Sequence, residues 1–160
     1  MLDPEKKLFL ESISKKIRKK CIEIANSKNP NATHLGGALS SIDILVTLYY
    51  EIMKYDVNKP DWELRDRFFL SKGHSILGYY SILSDLGYFS DEVLYSYGQN
   101  LTKLPGHPVR NKSLGIEFEF SGSVYPYGPY IGFPSYAHPI ILDTEDSVSL
   151  NEFLNFWKYL

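Results

Sequence analysis

The feature that most constrains this chain is a short apolar run, Phe68-Phe69-Leu70, that breaks at Gly73 and passes at once into a helical pattern over 75–86. The composition of the run is that of a strand, so the stretch Arg65-Asp66-Arg67-Phe68-Phe69-Leu70-Ser71-Lys72-Gly73-His74 sets His74 at a strand-to-helix turn. Such turns put side chains and free backbone N–H groups at the carboxyl edge of a sheet, where α/β proteins bind phosphorylated ligands. The simpler reading of a single histidine there is a connector whose side chain faces water. Two further histidines in similar glycine-containing settings make the coincidence worth pursuing.

The chain has 160 residues, 44% hydrophobic and 22% charged, which suits one domain with a real core. A net charge of −2 provides no electrostatic footprint for nucleic acid or an anionic membrane. Lys15, Lys16, Arg18, Lys19 and Lys20 are locally basic but interleave with the apolar stripe Leu10, Ile13, Ile17, Cys21 and Ile24, and read as a solvated helix face. Cys21 lies on that stripe and reads as core packing. One cysteine, no leader-like start and no apolar run of membrane-spanning length imply a cytoplasmic protein.

Asp3-Pro4 supplies an N-cap and a first-turn proline for a helix reaching about Ala25, stopped by 26–30. Residues 31–40 read as a polar loop containing His34 and the Gly36-Gly37 pair. Ser40 with Asp43 forms a capping-box-like start to a helix with apolar positions from Ile42 to Met53. After the strand-like run, the next helix uses Ile76, Leu77, Tyr80, Leu83 and Leu86 as its stripe and stops at Gly87. Another starts at Ser90, with Asp91 and Glu92 in its first turn, and ends near Gly98.

From 99 to about 122 the pattern is loop, and Pro105 and Pro108 hold His107 in a non-helical conformation. Residues 125–136 form a tyrosine, proline and glycine tract with neither period, and 149–160 regain helical spacing.

Three imidazoles converging on one pocket suit two chemistries. They could bind a divalent metal, although no two stand at zinc-motif spacing and no second cysteine supports them. They could instead move protons and bind an anionic substrate or cofactor, which fits the setting better.

The segments 31–50 and 65–74, then Leu104-Pro105-Gly106-His107-Pro108 and Gly115-Ile116-Glu117-Phe118, stand in the order and spacing of the amino-terminal part of transketolase. Over roughly 8–124 the chain resembles that family, and most closely its split-subunit bacterial and archaeal branch. The resemblance implies an α/β fold. In this chain that means a partial thiamine-diphosphate-binding domain, mostly helical with few parallel strands, over 1–124, followed by an irregular, divergent tail over 125–160 with a terminal helix.

It also implies thiamine diphosphate and Mg2+ as cofactors, sugar phosphates as substrates, transfer of two-carbon ketol units, and either a second transketolase-like subunit or a homodimer as partner. The residue roles it implies are these. His34 assists proton transfer and contacts the donor sugar, His74 lies near the diphosphate and reacting carbonyl, and His107 meets the terminal hydroxyl end of the substrate. Gly122, Ser123 and Val124 match the glycine turn whose backbone approaches the cofactor.

The sequence departs from the family pattern after about residue 118. The run over 118–125 is one residue longer than the family's turn and lacks its second glycine, and no Gly-Asp-Gly segment with a later Asn follows to hold a diphosphate-bound cation. No metal ligand is therefore assigned. The nearest acidic stretch, Leu142-Asp143-Thr144-Glu145-Asp146, reads as a solvated turn. The resulting expectation is a truncated transketolase-like chain, inactive alone, whose reading frame shifts or decays near 118–125. The alternative is a non-catalytic protein-interaction module.

Overall fold

A computed structural model describes residues 3–27, 34–70, 72–106, 108–117 and 141–143. Helix α1 spans Pro4–Asn26. The Asp3 carboxylate accepts the Glu5 N–H at 3.0 Å, and Pro4 needs no partner in the first turn. Leu10, Ile17, Cys21 and Ile24 are buried as their spacing predicts, and Ile13 packs at the rim.

Helix α2, Leu35–Thr47, runs into a π-helical turn, Leu48–Ile52. It starts five residues before the expected Ser40. The Ser40 hydroxyl donates to the Gly37 carbonyl inside the helix, and Asp43 turns to Arg18 instead of capping. Gly36 and Gly37 therefore form the first turn rather than a loop ahead of it. The reason is close packing: a Cβ on Gly37 would stand 3.0 Å from the His74 carbonyl oxygen. Leu35–Ile52 also reaches the length and apolarity of a membrane-crossing helix, contrary to the sequence expectation. Here that apolarity is used against α1 and α3, where Ile42, Leu45 and Leu48 are wholly buried.

Strand β1, Arg67–Phe69, leads through a 3-10 turn, Gly73–Ser75, into α3, Ile76–Asp85, so the strand-to-helix turn at His74 is present. Every residue from Ile76 to Ser84 is buried, so α3 is a central helix rather than one with a single apolar stripe. Its Gly78 would put a Cβ 3.1 Å from the Ala38 carbonyl, and with Gly37 this lets α2 and α3 approach backbone to backbone. Gly87, at φ 91°, follows the end of α3, and Ser90 caps α4, Asp91–Tyr95.

The expected parallel strands are not what the described residues show. β1 pairs antiparallel with β2, Ile141–Asp143, in the register Arg67↔Asp143, Phe68↔Leu142 and Phe69↔Ile141. A parallel pair needs a crossover that returns a second strand in the same direction; among the described residues between β1 and β2 there are α3, α4, a 3-10 turn, Lys112–Leu114, and one isolated bridge, Asn111↔Ile116. Asp143 thus lies in a strand, not in the expected solvated turn. The remainder of the 125–160 tail, where a terminal helix is expected, lies outside the described residues.

The basic face of α1 is also more than solvated surface. The Arg18 guanidinium donates to both carboxylate oxygens of Asp43 on α2, at 2.9 and 2.6 Å, and Lys20 reaches Asp91 of α4 at 2.6 Å. Lys16 and Lys20 both approach Asp85 at the end of α3. These pairs fasten α1 to three other helices.

Candidate functional site

His34 is the N-cap residue of α2, and its side chain makes no cap hydrogen bond. His74 sits in the 3-10 turn that starts the α3 helix. The two exposed rings meet edge to face, with centroids 4.2 Å apart at 85°. They are brought together from 40 positions apart because the first turn of α2 lies against the 73–75 turn. The Ser75 hydroxyl ties that seam by donating to the Gly37 carbonyl at 2.8 Å, and Gly37 carries no side chain to hold the backbones apart.

Beside the pair, the exposed Lys72 ammonium donates to the Ser40 hydroxyl at 3.5 Å. The edge therefore offers two imidazoles, an ammonium and a hydroxyl next to two helix starts. Such a donor set suits a ligand with sugar hydroxyls and oxyanions. His107, Gly122, Ser123 and Val124, the remaining expected site residues, lie outside the described residues.

Sequence reasoning missed a set of buried polar contacts elsewhere in the described chain. Arg65, with a side chain 4% exposed, pairs with Glu117, 8% exposed, and also donates to the Trp62 carbonyl at 2.7 Å. Asp66 accepts the Lys54 N–H at 2.8 Å and returns its own N–H to the Lys54 carbonyl. The Tyr79 hydroxyl donates to the Gly115 carbonyl at 2.8 Å and lies 3.0 Å from the Tyr49 hydroxyl. Burial pushes both phenols well above the ordinary tyrosine value, so they remain neutral hydrogen-bonding groups. The available signal was charge placed directly against apolar runs: Arg65-Asp66 before Phe68, and Glu117 after Ile116.

The histidine edge fits the polar groups of a thiamine-diphosphate or sugar ligand. A cation for the diphosphate is another matter: among the described residues, no group of three or more His, Cys, Asp or Glu side chains could hold a metal ion.

Comparison with known proteins defines the class. Residues 11–123 match the family described as transketolase, thiamine diphosphate binding domain, and because this is more than half of the chain, the protein belongs to the transketolase family. Among its relatives is an apulose-4-phosphate transketolase subunit of Actinobacillus succinogenes, 38% identical over 108 residues, covering 68% of this chain and 39% of the relative. The 6-deoxy-6-sulfo-D-fructose transketolase subunit SqwG of a Clostridium species is 40% identical over 84 residues, covering 52% and 30%. The transketolase of Buchnera aphidicola from Schizaphis graminum is 35% identical over 91 residues, covering 56% of this chain and 14% of the relative. The chain spans 30–39% of the length of the split-subunit relatives it matches.

Proposed function

We propose that this chain forms the histidine-lined face of a two-subunit transketolase acting on sugar phosphates in the cytoplasm, with 1–124 as the family domain and 125–160 as a divergent tail. The observation that carries the proposal is the edge-to-face contact of His34 and His74. Two histidines 40 residues apart are presented together, exposed, at the start of two helices. The names of the split relatives, each a subunit of a transketolase, support a companion chain.

In this reading thiamine diphosphate, when bound, supplies the carbanion chemistry and the protein positions it. His34 accepts and returns a proton at an imidazole nitrogen while touching the donor sugar. His74 donates a hydrogen bond towards the reacting carbonyl or the diphosphate. His107 and the backbone of Gly122, Ser123 and Val124 complete the contacts. The Mg2+ that anchors a diphosphate needs oxygen ligands, and among the described residues no group of carboxylates gathers to supply them, which supports reading the chain as inactive by itself.

Two measurements test the proposal. Calorimetric titration of the 160-residue chain with thiamine diphosphate and Mg2+ gives no tight, metal-dependent binding; such binding would overturn the claim of incompleteness. A chimera carrying residues 11–117 in place of the matching segment of the Actinobacillus relative, mixed with that relative's companion chain, transfers ketol units and loses about 10²-fold or more in kcat with His74→Ala or His34→Ala. A folded chimera that binds cofactor but is indifferent to both substitutions would refute the assigned roles.

A further inference from the structure

Lys72 is not among the residues matched to a family role, yet its placement is specific. It immediately precedes the 73–75 turn, and its ammonium reaches across to Ser40 on α2. Most lysines on α1 are engaged by carboxylates, as are Lys59 and Lys112. Among the described residues Lys72 has no carboxylate partner, only the hydroxyl. The nearest acid along α2, Asp43, is held by both nitrogens of Arg18, and that contact keeps its carboxyl below the usual range. Among the described residues this corner therefore carries a positive charge that no carboxylate pairs with, beside two imidazoles.

The spacing adds a length. Ser40 lies six residues along α2 from His34, about 9 Å at the rise of a helix. A ligand lying against the His34–His74 pair at one end meets Lys72 and Ser40 at the other only if it is extended and anionic there.

We infer that Lys72, held by Ser40, is a binding residue for a phosphate-type oxyanion at the far end of a ligand that rests on His34 and His74. This inference rests on the reading of that edge as ligand-facing. The same chemistry would come from the diphosphate of the cofactor or from the terminal phosphate of a sugar. A lysine presented by a hydroxyl suits either, because it acts as a point charge without demanding a planar partner.

The test uses the full chain and NMR of its histidine rings during titration with inorganic phosphate, inorganic pyrophosphate and an aldose phosphate, without metal. His34 and His74 resonances shift on saturation, Lys72→Met weakens binding about tenfold, and Lys72→Arg stays within about threefold of the parent. Ser40→Ala, also exposed, produces a smaller loss in the same direction. Dependence on Lys72 for pyrophosphate alone assigns the oxyanion to the cofactor, and for the aldose phosphate alone to the substrate; either supports the inference. Equal affinities for the parent and Lys72→Met, or no histidine shift with any probe, overturns it. Loss of catalysis in the chimera would leave this result standing, so the two readings fail separately.

Discussion

Glu117→Ala removes one partner of the most buried ion pair in the described chain. The side chains of Arg65 and Glu117 are 4% and 8% exposed, so the guanidinium left behind cannot regain water without opening the packing around it, and its remaining side-chain acceptor is the Trp62 carbonyl. Breaking a buried pair on one side costs about 3–5 kcal/mol, a large fraction of the roughly 5–15 kcal/mol typical of a whole domain. The double substitution Arg65→Met with Glu117→Leu removes both charges and fills the space with apolar atoms. The Trp62 carbonyl still faces the Arg65 backbone N–H at 3.4 Å, so no acceptor is orphaned. The double variant should therefore lie within about 1 kcal/mol of the parent or above it. Urea unfolding followed by tryptophan fluorescence and far-ultraviolet dichroism measures both, compared at equal m-value. Single substitutions costing under about 1 kcal/mol, or a double variant costing the sum of the two, would refute the argument.

Three other outcomes follow from the packing. Tyr79→Phe strips the hydroxyl that serves both Tyr49 and the Gly115 carbonyl and costs about 1–3 kcal/mol, whereas Tyr95→Phe, which frees only a surface contact with Glu23, stays within about 0.5 kcal/mol in the same urea experiment. Gly115→Ala combines a φ of 71° with a Cβ 2.9 Å from the Tyr88 ring, and lowers Tm more than Gly87→Ala, where φ is 91° but nothing lies within 4 Å. The Arg18 guanidinium lowers the Asp43 carboxyl pKa below its unfolded value of about 3.9, so the pair's contribution is fully present above that value and is lost as pH falls through the folded one. Asp43→Asn should flatten the acid limb of stability against pH; parallel loss in parent and variant below pH about 4 would exclude the pair as its source.

Some of this protein is legible from its residues alone. Asp3-Pro4 and the stripe of α1 specify a cap and a face through local geometry, and both appear in the folded chain. The break at Gly73 places His74 at a strand-to-helix turn because a change of period is a local property. The true start of α2 escapes the sequence for the complementary reason. Ser40 and Asp43 have the chemistry of a cap, but the helix gains an extra turn once Gly37 can nest against the His74 carbonyl, a contact 37 positions away.

The candidate site divides along the same line. Motif spacing singles out His34 and His74, while their meeting at 4.2 Å, and the reach of Lys72 to Ser40, depend on how α2 crosses the 73–75 turn. The bases on α1 read as solvated in the sequence because helical period says which residues face outward, not which carboxylates wait there. Burial of Arg65 with Glu117 is equally out of reach, since a charged residue advertises a partner without naming it. Local period and capping chemistry are written in neighbouring residues and so belong to the sequence. Pairings between distant segments are decided only when the helices dock, because the energy of those contacts depends on surfaces that no single segment contains.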